Sequence, residues 1–358
     1  MLREQEHGAL VIGDISGYTG LLVASELDHA QDVLRDLTRV LVDGLRGQLR
    51  LAKLEGDAAF CYAIGDRFDG STMLDTLESA YGAFRRRLDA IERATTCDCN
   101  ACVLIPRLDL KFVAHHGAFV RERLYGTEEL TGTDVIVVHR LLKNTVASTA
   151  YAFLTDVFVA ACGVDPGAIG LQAHRESYDD VGEVRGWVHD LHAWLERDRD
   201  RRRVRVTERT TFEQIEGDLR VPASVAWTML TEPSHRARLI PGVERIDEAP
   251  IDGRRGIGTR NHCVHGDGAS LEEVLDWRPF EYFTFDQRIP GVVHYVSTTE
   301  LTPTPEGTHV TIRIQRPRSA KERAALEAAA PAFLPLYAAA ISAMEAAAAR
   351  SSELPVGA

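Results

Sequence analysis

Two aspartates that follow predicted strands are the residues of this chain whose type and position could do chemistry. Asp14 comes shortly after the apolar run at residues 8–12, which is typical of a buried strand ending in a turn. Asp57 lies at the tip of a hairpin predicted over residues 49–64. Two converging carboxylates repel each other unless a cation lies between them. The pattern predicts a Mg²⁺ site, the alternative being that each aspartate serves only its own turn.

The turn after Asp14 predicts a second part of the same site. It opens a helical pattern, and backbone N–H groups at such a helix start bind phosphate oxygens. A cation and a phosphate cradle side by side predict a ligand that contains phosphate. The residues of this turn are Ile15, Ser16, Gly17, Tyr18 and Thr19.

Alternating strands and helices are predicted to position these residues. A first amphipathic helix starts at Asp28 and a second at Ser71. A densely charged stretch, typical of an exposed helix or a linker, separates them from a later run of strands. That run ends in an alanine-rich helix, in which Pro331 and Pro335 are expected to cause a bend or a break. We predict domains at 1–193 and 207–350, a charged helix or linker at 194–206, and a disordered tail at 351–358.

Four sequence motifs in the first domain carry a family resemblance. "DISGYT" (14–19) and "KLEGD" (53–57) are followed by "RLDLKFVAHHG" (107–117) and "YDDVGEVRGWVHDL" (178–191). In this order they resemble the motifs of the class III nucleotidyl cyclase catalytic domain, that of the adenylyl and guanylyl cyclases, over residues 8–191. The resemblance implies a ferredoxin-like fold of the α+β class. It also implies a homodimer, because the active sites of these cyclases lie between two catalytic domains.

The resemblance further implies roles for individual residues. Asp14 and Asp57 would hold two Mg²⁺ or Mn²⁺ ions, which activate the ribose 3′-hydroxyl and bind the triphosphate. Lys53 matches the position that reads the purine base, and Glu129 in "EELTG" matches the acid that selects adenine. ATP is therefore favoured over GTP, and the implied reaction converts ATP to cyclic AMP.

One further motif departs from the family pattern. In "VIVVHR" (135–140), Arg140 keeps the position that stabilises charge on the phosphate, whereas Ile136 replaces the asparagine that orients the ribose. Isoleucine cannot donate a hydrogen bond, and losing one such donor typically slows an enzyme by about 100- to 1,000-fold. His139 is either a substitute donor or a structural residue. The sequence leaves open whether the chain is a nucleotide cyclase or a silent nucleotide-binding module.

A cluster of three cysteines, "CDCNAC", lies outside the family pattern. Three thiolates in one loop supply three of the four soft ligands of a tetrahedral Zn²⁺ site, so a structural zinc is one interpretation. A redox pair and reduced thiols without a metal are the others. The cysteines are Cys97, Cys99 and Cys102, and the candidates for a fourth ligand are His115, His116, Cys61 and Cys162.

The second domain resembles the START-like superfamily, also called SRPBCC or polyketide cyclase-like, over residues 207–350. The resemblance is carried by a first strand running into "VPASVAWTMLTEPSHRARLIPGV", a series of strands, and the closing alanine-rich helix. It implies a helix-grip fold, in which a curved antiparallel sheet wraps a long helix and leaves a cavity for a hydrophobic small molecule. Strand alternation divides the aromatic side chains between the core and the cavity wall. These are Trp277, Tyr282, Phe283 and Phe285.

Composition argues against several classes of function. The 358-residue chain has a formal net charge of −12, unlike a protein that coats nucleic acid or an anionic membrane. The sequence shows no apolar run expected to span a bilayer and no pattern typical of a signal peptide. A cytoplasmic location is therefore expected.

The leading hypothesis joins the two domains in one function. A divergent adenylyl cyclase-like domain binds a nucleoside triphosphate and divalent metal at a dimer interface, while the START-like domain binds a hydrophobic molecule and acts as a sensor. The alternative hypothesis is a non-catalytic protein that binds small hydrophobic molecules and whose cyclase-like domain only dimerises.

Overall fold

The computed structural model describes residues 5–18, 20–21, 27–94, 104–124, 127–266 and 268–353. The chain divides into two compact units, Met1–Arg201 and Arg202–Ala358. Each unit has its own sheet and its own hydrophobic core. The tail predicted at 351–358 starts too early, because residues 351–353 belong to the last helix; residues 354–358 lie outside the described residues.

A mostly antiparallel sheet forms the centre of the N-terminal unit. Its strands are β1 (Gln5–Ser16), β2 (Arg50–Glu55), β3 (Ala58–Ile64), β4 (Asp109–Leu124), β5 (Thr127–Thr131), β6 (Tyr151–Thr155), β7 (Gln172–Tyr178) and β8 (Gly182–Asp190). The order across the sheet is β2-β3-β1-β4-β6-β8-β7, and β5 pairs with β4. Only β4 and β6 pair in parallel among the described strands.

Helices cover both faces of this sheet. They are α1 (Leu27–Leu45), α2 (Gly70–Ala94), α3 (Thr133–Arg140), α4 (Asp156–Cys162) and α5 (Leu191–Asp200). Buried side chains of α1, α2, α4 and α5 share one core, and those of α3 belong to a second core on the other face. Strands and helices therefore form a layered α+β unit, as predicted.

Strand β1 lies in the middle of the sheet and positions Asp14. Its alternate side chains enter the two cores: Ala9 and Val11 join the first, and Leu10 and Ile12 join the second. A strand buried on both faces needs a continuous apolar run, which explains the sequence before Asp14. Asp14 continues the face of Leu10 and Ile12, where α3 packs.

The C-terminal unit is an antiparallel sheet with a long closing helix. Its strands are β9 (Thr211–Leu219), β10 (Arg245–Ala249), β11 (Arg260–His265), β12 (Gly268–Arg278), β13 (Tyr282–Ile289), β14 (Val293–Thr304) and β15 (Gly307–Gln315). Its helices are α6 (Ala223–Thr231), α7 (Pro233–Leu239) and α8 (Ala320–Glu353). The strand order is β10-β11-β12-β13-β14-β15-β9, and α8 packs against β9 and β14. This is the predicted helix-grip arrangement.

Strand alternation sorts the four aromatic residues of this sheet. Phe283 and Phe285 project to the face that carries the core, while Tyr282 donates a hydrogen bond to Asp276. Trp277 is buried in the same core cluster as Phe283 and Phe285. The predicted division between core and cavity wall therefore describes Trp277, which lies in the core, and Phe283 and Phe285, which also line the cavity, but not Tyr282, which lies in neither.

Helix α8 is the one helix among the described residues that is long and apolar enough, by length and composition, to cross a membrane. An 18-residue window within Ala320–Ala349 has a mean hydropathy of 1.5, whereas the sequence analysis predicts no segment of this kind. Leu326 and Met344 are buried against the sheet of this unit. The helix runs unbroken through Pro331 and Pro335, so of the two predicted outcomes, a bend or a break, the break is wrong and the bend stays a prediction. Packing on both sides of the prolines holds the helix together.

Candidate functional site

The structure brings Asp14 and Asp57 to the same edge of the sheet. Asp14 pairs across the β1–β3 ladder with Ala58, the residue that directly follows Asp57. Burial, and then the negative charge of Asp14, raise the pKa of Asp57 to about 6. Two carboxylates 43 residues apart in sequence are thus close enough to influence each other's protonation.

A lysine that the sequence analysis did not single out lies in this site. Lys111 is opposite Asp14 on the β1–β4 ladder, and its Nζ is 3.1 Å from Asp14 Oδ2. Both side chains are partly buried. Lys111 lies inside the motif at 107–117. The sequence pattern of a strand does not show which residue of the neighbouring strand lies opposite Lys111, because that depends on the register between the two strands.

The position of Lys111 adds a positive charge to the predicted two-metal centre. An ammonium group already neutralises Asp14, and two divalent ions would have to share the carboxylates with it. No three His, Cys, Asp or Glu side chains come together as a metal site within the described residues. Asp14 and Asp57 are thus the two carboxylates that would hold a divalent ion, in competition with Lys111, and the two-ion site stays a prediction.

The turn that is predicted to cradle phosphate starts later than expected. Ile15 and Ser16 belong to β1, opposite Leu110 and Asp109 of β4, because the strand extends past Asp14. The turn begins at Gly17, whose φ of 88° lies in the left-handed region that favours glycine. Tyr18 follows this turn and packs partly buried against the first core. Thr19 lies outside the described residues.

Lys53 and Glu129, the predicted base-reading pair, are in contact. Lys53 Nζ is 3.3 Å from Glu129 Oε2 and 2.9 Å from Glu55 Oε1. The hydrogen bond to Glu55 raises the pKa of Lys53, against the opposing effect of burial. Burial alone would raise the pKa of Glu55, but Lys53 and the charge of His139 lower it. The pair is therefore part of a larger charged cluster between β2, β5 and α3.

The end of α3 carries Arg140 on an open face. Arg140 Nη2 is 3.1 Å from Asp180 Oδ2, in the turn between β7 and β8. Ile136, at the position of the missing asparagine, is 54% exposed. His139 donates from Nδ1 to the Val135 carbonyl, and its Nε2 is 3.0 Å from Glu55 Oε2. These contacts favour the structural interpretation of His139.

The absence of a side chain at Gly117 determines where α3 begins. The Asp134 carboxylate accepts a hydrogen bond from the Ala118 backbone N–H at 2.6 Å, and its other oxygen is 3.2 Å from His115 Nε2. A Cβ on Gly117 would lie 2.3 Å from this carboxylate. Only glycine at this point of β4 therefore lets the first turn of α3 dock, which sets the position of Arg140.

The predicted zinc site gains no support. Cys97, Cys99 and Cys102 lie outside the described residues. His115 and His116 have hydrogen-bond partners within the unit, Asp134 and the Gly65 carbonyl among them. Burial raises the pKa of both Cys61 and Cys162 to about 12, so these thiols are neutral and sequestered in the core.

The C-terminal unit contains an apolar cavity of about 270 Å³ between the sheet and α8. Its wall includes Phe283 and Phe285 of β13 together with Phe333 and Ile341 of α8. Apolar side chains outnumber polar ones in the wall, and three of the polar groups bond to one another: the hydroxyls of Tyr295 and Tyr337 both donate to Gln287 Oε1, at 2.9 and 2.8 Å. The cavity therefore suits a mostly apolar occupant.

Two family matches cover separate parts of the chain. Residues 34–151 match a family described as a protein of unknown function (DUF2652). Residues 203–349 match the family described as polyketide cyclase / dehydrase and lipid transport. The C-terminal unit is a START-like domain. The second match confirms the START-like resemblance that the sequence motifs predict for this unit.

A curated relative shares part of the sequence. An uncharacterized protein of Mycobacterium tuberculosis is 41% identical over 132 residues, which are 36% of this chain. The chain covers 59% of that relative. The match therefore joins two proteins that each extend beyond the shared segment.

Solved structures similar to this chain include two nucleotide cyclases. The guanylyl cyclase Cya2 is 12% identical, with 52% of this chain and 93% of that chain covered and a TM-score of 0.42. The adenylyl cyclase CyaB from P. aeruginosa is 13% identical, with 53% and 97% covered and a TM-score of 0.38. Both TM-scores lie below 0.5, so the cyclase resemblance of the N-terminal unit stays a prediction from the sequence motifs.

Proposed function

We propose that this protein binds a small, mostly apolar molecule in the cavity of its START-like domain. The observation that carries the proposal is the 270 Å³ space between α8 and the sheet, walled mainly by aliphatic and aromatic side chains. Ligand sites are typically concave and apolar, with a few polar groups that orient the ligand. The cavity has this composition.

A pair of adjacent alanines on α8 offers a matched test of this proposal. Ala340 is buried and lines the cavity, whereas Ala339 is exposed. Ala340→Leu should fill part of the cavity and weaken binding of naphthalene by about tenfold, measured by calorimetry on the full chain. Ala339→Leu should leave the affinity unchanged. Equal affinities in both variants would contradict binding in this cavity.

We propose a second activity for the N-terminal unit, the binding of a purine nucleoside triphosphate without turnover. The specific observation in its favour is the 3.3 Å contact between Lys53 and Glu129, the two side chains that the cyclase resemblance assigns to the base. Two other observations argue against conversion of the nucleotide to a cyclic product. Lys111 occupies the position beside Asp14, and Ile136 offers no hydrogen bond to a ribose.

Measuring product formation and nucleotide binding separately distinguishes a nucleotide-binding domain without catalysis from an active cyclase. The full chain with ATP or GTP and Mn²⁺ is expected to form no cyclic nucleotide above an Asp57→Ala control. In calorimetry, ATP should bind with higher affinity than GTP, and Lys53→Ala should weaken ATP binding. Cyclic AMP formation above the control would contradict binding without turnover and show that the domain is an active cyclase.

Dimerisation and sensing complete the proposal. In a homodimer, Arg140 of one chain would approach the Asp14 edge of its partner, and the exposed Ile136 beside it suits an interface. A ligand in the START-like domain could regulate such a dimer only if it bound two dimer states with different affinities. Light scattering with and without naphthalene would test this, since an unchanged monomer in both conditions excludes it.

A further inference from the structure

A buried ion pair lies in the wall of the START-like cavity. Arg236 Nη2 donates to Glu272 Oε1 at 2.9 Å, and both residues line the cavity. The two side chains are only 6% and 8% exposed. Glu272 Oε2 accepts a second hydrogen bond from Asn261 Nδ2 at 3.2 Å. The pair is therefore neutral as a whole, and each oxygen of its carboxylate has a partner.

One donor of this pair has no hydrogen-bond partner. Arg236 Nη1 is buried and unpaired, and it is the only buried side-chain nitrogen or oxygen of this kind among the described residues that line the cavity. The guanidinium also lies 5.3 Å from the ring centroid of Phe285, another residue of the wall. A buried N–H without an acceptor is costly, and because Nη1 is covered in this structure, a ligand that supplies an acceptor would reach it through a small movement of the cavity wall.

The volume of the cavity limits the size of that ligand. An apolar protein cavity of about 150 Å³ holds one benzene molecule. The present cavity measures about 270 Å³. On this comparison its occupant has about two rings, or an aliphatic skeleton of similar volume.

Charge and hydrogen-bond capacity limit the polar group of the ligand. A carboxylate would bring a second negative charge beside Glu272 in apolar surroundings, which is unfavourable. A hydroxyl could accept from Arg236, but its own proton would then need an acceptor. A carbonyl oxygen meets the unpaired donor and adds neither a charge nor a donor.

We propose that the cavity takes a neutral compound of about two rings whose carbonyl oxygen accepts a hydrogen bond from Arg236 Nη1. This inference rests on the proposed function of the START-like domain and adds the class of its ligand. Arg236 is the residue that distinguishes such a ligand from a hydrocarbon of the same shape.

Three probes with one skeleton test this inference on the full chain by calorimetry. They are tetralin, 1-tetralone and the carboxylate of tetralin-1-carboxylic acid. Wild type should bind 1-tetralone about tenfold tighter than tetralin, as one good hydrogen bond to a charged donor allows, and should bind the carboxylate most weakly. The double variant R236M/E272Q removes both charges together and keeps an acceptor for Asn261, so no uncompensated charge stays buried.

The variants separate a ligand contact from a purely structural ion pair. In R236M/E272Q the preference for 1-tetralone should disappear while tetralin binding persists, and in the exposed control Arg238→Met it should remain. Equal affinity of wild type for tetralin and 1-tetralone, or a preference for the carboxylate, would overturn the inference and leave the proposed function standing. If none of the probes bound any variant, both would be overturned. A thermal melt of each variant verifies folding.

Discussion

Lys111 decides what the two aspartates can do. Its ammonium group lies 3.1 Å from Asp14, so the carboxylate already has a cationic partner within the fold. A cation supplied by the chain itself competes with a divalent ion for the same oxygens. The chemistry of Asp14 therefore depends on a residue of β4 as much as on its own position.

Removing the lysine should open the site to metal. Lys111→Ala leaves Asp14 and Asp57 near each other without a neutralising group, and we expect the affinity for Mn²⁺ to rise by about tenfold or more. Titration followed by electron paramagnetic resonance measures free Mn²⁺ directly. The exposed Lys143→Ala is the control. Unchanged Mn²⁺ affinity in Lys111→Ala would show that the lysine does not block the site.

A buried glutamate should make stability depend on pH. Glu176 is 5% exposed in its side chain and accepts hydrogen bonds from the Thr145 N–H and hydroxyl, at 2.6 and 2.7 Å. Burial alone would raise the pKa of Glu176, but the Thr145 N–H and His174 lower it. Its ionised form thus stabilises the fold above the ordinary glutamate pKa of about 4.3, and this contribution is lost as pH falls through the lower folded value.

The variant Glu176→Gln measures that contribution. It should lower the free energy of unfolding by about 1–3 kcal/mol at neutral pH, and the deficit should shrink in acid as wild type itself becomes protonated. Urea unfolding across the pH range provides the measurement, with the exposed Glu196→Gln as control. A deficit that stays constant from neutral pH into acid would contradict the linkage.

At the scale of elements, the docking of α3 on β4 depends on one glycine. The Asp134 carboxylate lies where a side chain at 117 would begin, because a Cβ on Gly117 would be 2.3 Å away. The resulting hydrogen bond to the Ala118 N–H anchors the first turn of the helix. The last turn, with His139 and Arg140, is positioned by that anchor.

Gly117→Ala should therefore displace the start of α3. We expect a loss of about 1–3 kcal/mol in the free energy of unfolding, and a smaller loss when the same change is made in an Asp134→Gly background, which also removes the Asp134 Cβ that would lie 2.5 Å away. Denaturant unfolding of wild type, the two single variants and the double variant gives the coupling free energy between residues 117 and 134. Losses that are equal in the two backgrounds would mean that the clash with Asp134 is not the cause.

Local patterns predicted the elements of the N-terminal unit better than their contacts. The apolar run before Asp14 and the hairpin at Asp57 appear as β1 and as β2 and β3, since both follow from the period of side chains along a strand. The family resemblance, and not spacing, assigned Lys53 and Glu129 to one site although they are 76 residues apart, and the structure shows them in contact. Lys111 was missed because register across a ladder is set by the whole sheet.

At the scale of the whole molecule, the two units differ in how far the sequence predicts their sites. The order of strands before an alanine-rich helix indicates a cavity between α8 and the sheet, but not which side chains line it. Arg236 lies on the short helix α7 and pairs with Glu272 of β12, so the pair depends on tertiary packing. A basic residue within "SHRARL" gives no local signal that it is buried.

The most direct test of the account is native mass spectrometry of the full chain. The wild type, purified and then incubated with naphthalene, should carry a small molecule whose mass is lost when the protein is denatured. Ala340→Leu should carry markedly less of it, and Ala339→Leu should match wild type. A wild type that shows only the mass of the bare chain, both as purified and after incubation, would contradict a ligand-binding role for the START-like domain.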